Sequence, residues 1–95
     1  MPASIDIKFY TKPDCPLCDD AAALLDAMSR HELLRIAPVN ILTDPALYDL
    51  YRNRIPVLIF GDGTMLEPPI RRGRLAAAIR AQKNAVQSGG AGTSE

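Results

Sequence analysis

The spacing of apolar residues changes several times along this chain, and each change predicts a new element. Ile5 to Tyr10 alternates apolar and polar residues, which is typical of a strand with one buried face. From Pro16 to about Arg30 the apolar residues recur every three or four positions, which predicts a helix with one apolar side. Leu33 to Ile41 returns to a strand composition. Because Pro38 lies inside it and cannot donate to a ladder, we expect an edge strand or a bulge there.

The middle of the chain predicts a short helix followed by a hairpin. Asp44 is the expected N-cap of a helix that begins at Pro45. Val57 to Phe60 is apolar at every position, which is typical of a strand buried on both faces. A Gly-Asp-Gly turn then leads into a returning strand over Thr64 to Glu67.

The last part of the chain predicts one more helix and a tail. The pair Pro68-Pro69 breaks the hairpin strand, and a helix is expected from Arg72 to about Lys83. The polar, glycine-rich end has little to bury, so we expect a domain over residues 1–84 and a flexible tail over residues 85–95. The predicted order is β-α-β-α-β-β-α, an α/β fold with a four-stranded mixed sheet and flanking helices.

Composition and charge narrow the classes of function. The chain has 95 residues, which suits one domain. Its 11 basic and 11 acidic residues cancel, so bulk charge gives no reason to expect a nucleic-acid or membrane partner. No apolar run reaches the roughly 18–20 residues of a membrane span, and the first residues lack the pattern of a secretory signal. We therefore expect a cytoplasmic protein.

The chain has two cysteines, Cys15 and Cys18, at the predicted junction between the first strand and the first helix. In the cytoplasm, a close cysteine pair is more often catalytic or metal-binding than a structural cross-link. The first N–H groups of a helix lack intrahelical partners and carry partial positive charge, so a thiolate at Cys15 is stabilised there. We expect Cys15 to be an exposed nucleophile and Cys18, in the first turn and more buried, to resolve the mixed disulfide.

Nearby residues bear on this hypothesis and on its alternatives. Asp14, Asp19 and Asp20 crowd the same helix end and disfavour a thiolate, whereas Lys12 favours one. A zinc site needs about four ligands. Only His31 and carboxylates could join the cysteines, so no metal site within one chain is expected. A metal or cluster shared between two chains stays open as an alternative.

Two segments resemble landmarks of a known family. YTKPDCPLC resembles the active-site segment of glutaredoxins, which runs K-x-x-C-P-Y-C after the first strand. RNRIPVLIF resembles the cis-proline segment of the thioredoxin superfamily. Over about residues 5 to 83, the chain is identified as a glutaredoxin-like member of that superfamily. The resemblance implies a thioredoxin-like fold and a thiol–disulfide oxidoreductase that reduces protein or glutathione mixed disulfides through Cys15 and Cys18.

The resemblance also implies roles for residues outside the cysteine pair. It implies a cis peptide bond between Ile55 and Pro56 that faces Cys15, with the backbone of Ile55 pairing with the substrate. It implies that Lys12 contacts the glycine carboxylate of glutathione. We expect no bound cofactor beyond glutathione as a co-substrate, protein disulfides or glutathione as partners, and a monomer.

Some residues differ from the glutaredoxin pattern. Leu17 replaces a tyrosine, Ile55 replaces threonine or a similar polar residue, and the Gly-Gly that grips the γ-glutamyl end of glutathione is absent. Arg71, Arg72 and Arg74 follow the fourth strand instead and could meet an anionic ligand or an acidic partner. These differences keep a second hypothesis open, in which a redoxin fold without catalysis holds a metal or iron–sulfur cluster between chains, or docks a partner.

Overall fold

The computed structural model describes the backbone of residues 4–92 and the side chains of residues 4–84. Its elements in chain order are strand β1 (Ile5–Thr11), helix α1 (Pro16–Met28), strand β2 (Leu34–Asn40), a short 3-10 helix (Ile41–Thr43), helix α2 (Pro45–Tyr51), strands β3 (Val57–Phe60) and β4 (Met65–Leu66), and helix α3 (Arg72–Gly92). This order confirms the predicted β-α-β-α-β-β-α arrangement.

The four strands form one mixed sheet in the order β2-β1-β3-β4. β1 pairs in parallel with β2 and antiparallel with β3, and β4 pairs antiparallel with β3. The parallel pair is connected through α1, as a crossover connection requires. β2 is therefore an edge strand, which confirms the expectation based on Pro38.

The core lies between one face of the sheet and the helices α1 and α3. Ile5, Ile7 and Phe9 alternate with exposed neighbours along β1, and they pack in one buried cluster with α1 and α3. The helices contribute these apolar side chains to that cluster: Ala21, Leu25, Leu75 and Ile79. Burial of this apolar surface is the main favourable contribution to folding.

The opposite face of the sheet is covered only in part. The rings of Tyr10 on β1 and Tyr51 on α2 lie 4.8 Å apart, so α2 packs over that end of the face. Farther along, Ala37, Lys8, Ile59 and Met65 are successive cross-strand neighbours in one row across the sheet. Ile59 is half-buried and Lys8 is exposed, so the expectation that β3 is buried on both faces is wrong at Ile59. The physical reason is that none of the helices among residues 4–92 covers this row.

The residues at the start of α2 have the capping roles that the sequence predicts. Asp44 has an extended backbone, and its Oδ1 accepts a hydrogen bond from the N–H of Ala46 at 2.9 Å. Pro45 occupies the first helical position, where its missing N–H leaves no donor unpaired. The predicted N-cap is confirmed.

α3 begins at Arg72 as expected but continues to Gly92, well beyond Lys83. Residues 84–87 contain no glycine or proline, so nothing in that stretch ends the helix. The flexible tail stays a prediction, and its residues 93–95 lie outside the described residues. Within the part of the chain that the structure describes, no helix is both long and apolar enough to cross a membrane.

Candidate functional site

Cys15 is the N-cap residue of α1. Its backbone is extended, with φ −122° and ψ 102°, and its Sγ accepts a hydrogen bond from the N–H of Cys18 at 3.2 Å. Pro16 occupies the first helical position, and the carbonyl of Cys15 accepts the N–H of Asp19 at 3.0 Å. The sulfur therefore lies at the N-terminal end of a helix, which carries partial positive charge, and it accepts one of the N–H groups that lack an intrahelical partner.

The residue before this cysteine has an unusual backbone. Asp14 has φ 57°, in the left-handed region, where it is the only non-glycine residue among residues 4–92 with positive φ. Aspartate tolerates this conformation better than most residues because its short polar side chain can bond locally. The left-handed residue turns the chain between β1 and α1, so that Cys15 enters the helix at its cap position.

Cys18 is held as a thiol. Its side chain is only 2 % exposed, and this burial is the main cause that raises its pKa. A hydrogen bond to Cys15 and repulsion from negative charge on Cys15 raise the pKa of Cys18 further, while hydrogen bonds with the Thr11 side chain and the Lys12 backbone oppose the shift. Cys18 therefore keeps its proton at neutral pH, and its sulfur is the more buried of the two, as predicted.

Cys15 is less accessible than the sequence suggested. The residue is 9 % exposed and belongs to the buried cluster, so the expectation of an exposed nucleophile is wrong. The capping bond holds the sulfur at the first turn of α1, and Cys15 packs there in the same apolar cluster as Ile55. Leu17, between the two free cysteines, is 57 % exposed and forms part of the surface there.

The peptide bond between Ile55 and Pro56 is cis, as predicted. Both residues are buried, and Ile55 belongs to the same apolar cluster as Cys15. These two residues, which directly precede β3, are thus packed into the core of the domain.

The strand register brings this proline to the cysteine end of the sheet. The pairing of β1 with β3 ends at Tyr10 opposite Val57, so Thr11 and Pro56 are the next residues on the two strands. Thr11 in turn bonds through its side chain to Cys18. The cysteines and Pro56 therefore share one end of the sheet, where β1 ends and β3 begins.

Lys12 lies at the same end and is half-buried. Its backbone bonds to Cys18, which makes it a neighbour of the resolving thiol. Among the side chains that the structure describes, no carboxylate pairs with its ammonium group. Its contact with glutathione stays a prediction.

The arginines after β4 are not equivalent. Arg74 donates from Nη1 to the carbonyl of Glu67 at 2.8 Å and to the carbonyl of Pro69 at 2.6 Å. This guanidinium is thus bound to the backbone of its own chain, whereas the sequence left open a role for all three arginines toward an anionic ligand or an acidic partner. Arg71 and Arg72 are exposed, and neither guanidinium has an ion pair among residues 4–84.

Two residues near the site were not expected from the sequence. Nη1 of Arg54 lies 3.9 Å from Oε2 of Glu67, which links the segment before Pro56 to the end of β4. Both side chains are about half exposed, at 52 % and 43 %, so the pair alone adds little stability. A separation of 13 residues gives no periodic signal, and only the pairing of β3 with β4 brings the two together.

The described residues do not form a metal site within one chain. Across residues 4–84, no group of three or more His, Cys, Asp or Glu side chains lies close enough to hold an ion. His31 follows α1 at the opposite end of that helix from the cysteines. The shared site between two chains, which was the alternative, is a matter for experiment.

A concavity of about 810 Å³ lies away from the cysteines, on the uncovered face of the sheet. Lys8, Arg35 and Ile59 contribute to its lining, whereas neither cysteine nor Pro56 does. Its size falls in the range of ligand sites. However, it is a consequence of the row that no helix covers, and the reactive groups of the chain lie elsewhere.

Comparison with known proteins supports this picture. The family described as Glutaredoxin-like domain (DUF836) matches residues 6–80. The Northeast Structural Genomics target protein XcR50 from X. campestris is 36% identical, with a TM-score of 0.69 over 79% of this chain and 96% of that chain. Protein Ne2328 from Nitrosomonas europaea is 21% identical, with a TM-score of 0.69 over 82% of this chain and 94% of that chain, which shows the fold alone.

No curated protein matches the chain. The family match nevertheless spans most of the sequence and includes both cysteines and the Ile55–Pro56 bond. It also agrees with the mixed four-stranded sheet and its helices. This chain therefore belongs to the glutaredoxin-like domain family, within the thioredoxin superfamily.

Proposed function

We propose that this protein is a thiol–disulfide oxidoreductase that reduces protein or glutathione mixed disulfides through Cys15 and Cys18. The observation that carries the proposal is the capping bond, in which Sγ of Cys15 accepts the N–H of Cys18 at 3.2 Å. The bond holds the sulfur of Cys15 at the N-terminus of α1, where the partial positive charge of the helix faces the sulfur that attacks disulfides. The second thiol lies in the same first turn, where it can complete the exchange.

The reaction balances as two successive exchanges. The Cys15 thiolate attacks one sulfur of the substrate disulfide, a bond forms between the two sulfurs, and the other substrate sulfur leaves as a thiolate that takes up a proton. Cys18 then loses its proton and attacks Sγ of Cys15, so the intrachain disulfide forms and the second substrate sulfur is released. Two electrons pass from the dithiol to the substrate. An external thiol reductant must return them before the next turnover.

The raised pKa of Cys18 suits the second step. Burial and the neighbouring Cys15 keep Cys18 protonated, so it does not compete as a nucleophile in the first attack. Once Cys15 is part of a mixed disulfide, its negative charge is gone, and one cause of the raised pKa of Cys18 disappears with it. The resolving thiol can then ionise more easily, at the stage when it has to attack.

Residues around the pair are proposed to bind the substrate. Pro56 and the backbone of Ile55 lie at the same end of the sheet as the cysteines, and the ammonium of Lys12 there has no ion pair with any described side chain. Because Cys15 is only 9 % exposed, the attacked sulfur has to approach closely along one side, next to the exposed Leu17. We propose that the protein acts in the cytoplasm as a monomer without a bound cofactor.

The test is the reduction of insulin with dithiothreitol as the electron donor, compared with dithiothreitol alone. The Cys15→Ser variant is expected to lose the acceleration. The Cys18→Ser variant, incubated with insulin without dithiothreitol, is expected to retain an insulin chain as a mixed disulfide on Cys15, detected by intact mass. Insulin reduction by Cys15→Ser at the wild-type rate would contradict the proposal.

A second measurement separates the two substrate classes. The wild-type dithiol is incubated with oxidised glutathione and analysed by mass spectrometry. A glutathione adduct on Cys15 supports reaction with glutathione disulfides. An intrachain disulfide without any adduct, even at short times, supports exchange with protein disulfides instead.

A further inference from the structure

The segment after β4 forms part of the surface beside the cysteines. The pairing of β3 with β4 ends at Leu58 opposite Leu66, so the chain leaves β4 at the end of the sheet where Pro56 leads into β3. β1 also ends there, because its pairing with β3 stops at Tyr10 opposite Val57. The ends of β1, β3 and β4 thus form a row at the cysteine end of the sheet. At the usual strand spacing, this row spans about 10 Å.

Arg74 holds this segment from the first turn of α3. Its Nη1 donates to the carbonyls of both Glu67 and Pro69, at 2.8 Å and 2.6 Å. Bonds from a charged donor at such distances are stronger than neutral ones. The two acceptors flank Pro68, so one guanidinium fixes the segment on both sides of this proline.

The same segment also lies close to the turn that leads into Pro56. Arg54, two residues before Pro56, pairs with the carboxylate of Glu67, whose carbonyl is bound by Arg74. Arg54 thus lies close to the side chain of Glu67, while Arg74 binds its backbone. Because the Arg54 pair is exposed and adds little stability, the two bonds from Arg74 are the contacts that fix the segment.

We propose that Arg74 is a positioning residue. It fixes the segment from Glu67 to Arg71, which we propose to be the wall of the substrate site at the opposite end of the row from β1. This inference rests on the proposed function, because it assumes that substrates react at Cys15. A substrate chain extended across the row covers about three residues over 10 Å. A protein disulfide would therefore meet this wall a few residues from its reacting cysteine, whereas a small disulfide would not reach it.

The test compares two disulfides and three variants. Insulin represents a substrate that extends across the row, and bis(2-hydroxyethyl) disulfide represents one that touches Cys15 alone, both with dithiothreitol as donor. For Arg74→Ala we expect the KM for insulin to rise about tenfold with little change in kcat, since the wall contributes to binding and not to the exchange itself. Kinetics with the small disulfide should stay within about twofold of wild type.

Matched variants provide the controls. Arg72→Ala removes a neighbouring exposed arginine of the same helix turn that makes no ion pair among the described side chains, and it should leave both substrates unaffected. Arg74→Lys keeps a cation that can donate to two carbonyls, and it should restore most of the KM for insulin. Two results overturn the inference: an unchanged KM for insulin in Arg74→Ala, or a rise in KM that is equal for the two disulfides.

A measurement without substrate distinguishes this inference from the proposed function. The backbone order parameter of Glu67, whose carbonyl Arg74 binds, should fall in Arg74→Ala from about 0.85, typical of rigid backbone, to below about 0.6, measured by ¹⁵N relaxation. An unchanged order parameter overturns the positioning role even if the wild type is active. If the wild type reduces neither disulfide, the proposed function fails, and the inference that depends on it falls too.

Discussion

Replacing Cys15 by two different small residues separates its chemical role from its structural one. Both Cys15→Ser and Cys15→Ala remove the nucleophile, so neither should accelerate disulfide reduction. Only alanine also removes the acceptor for the N–H of Cys18, which Sγ of Cys15 binds at 3.2 Å. Serine is among the preferred N-cap residues, and its hydroxyl can accept the same hydrogen bond.

The expected difference follows from the value of an N-cap. Loss of a capping acceptor costs about 1 kcal/mol of stability. In a domain of this size, 1 kcal/mol corresponds to a Tm shift of about 4–8 °C. Cys15 is 9 % exposed, so the alanine variant also loses packing around the sulfur, which adds to the loss. Cys15→Ala should therefore melt at least about 4 °C below Cys15→Ser.

The assay is thermal unfolding followed by far-ultraviolet circular dichroism, with dithiothreitol present to keep every thiol reduced. Wild type and Cys15→Ser should have similar Tm values, and Cys15→Ala should unfold first. If Cys15→Ala is as stable as Cys15→Ser, the sulfur does not cap α1. The proposed orientation of the Cys15 nucleophile by the start of α1 then loses its basis.

Three further predictions concern titration and the alternative function. Because the pKa of Cys18 is raised in the folded chain, its contribution to stability is complete below about pH 8.5, the value of a free thiol, and is lost as the pH rises further. Urea midpoints in reductant should fall above that pH more in wild type than in Cys18→Ala, and equal slopes contradict the prediction. Hydrogen bonds from Thr64 and Gln82 lower the pKa of Asp62, so its contribution is present above about pH 3.9 and is lost on acidification. The difference in urea midpoint between wild type and Asp62→Ala should therefore shrink as the pH falls from about 5 to 3, and a constant difference counts against it. Finally, anaerobically purified protein should be a colourless monomer, whereas visible absorption together with a dimeric native mass would favour the cluster-binding alternative.

The elements of this fold are largely predictable because their signals are local. The alternation in β1 and the capping pair Asp44-Pro45 depend on neighbouring residues, and both predictions are confirmed. The predicted end of α3 near Lys83 was wrong, because no residue there stops the helix. Periodicity and propensity are weak where neither a cap nor a break occurs.

The candidate site was predictable in its members but not in their contacts. The close spacing of Cys15 and Cys18 and the segment around Pro56 are visible in the sequence. The burial of Cys15 depends on the direction in which one side chain turns at a helix cap, which the sequence pattern does not encode. The binding of Arg74 to two carbonyls depends on the path of the chain after β4. Such contacts arise from tertiary structure, and residue type alone did not reveal that this arginine is already engaged.

One row of side chains on the sheet face, described above, also bears on self-association at high concentration. It consists of Ala37, Lys8, Ile59 and Met65. Lys8 stands between Ala37 on one side and Ile59 and Met65 on the other, so an ammonium group interrupts what would otherwise be an apolar band. Two copies that stacked these faces would have to desolvate the charges in the contact, which is costly. We therefore expect Lys8 to disfavour the stacking of two copies through this face of the sheet.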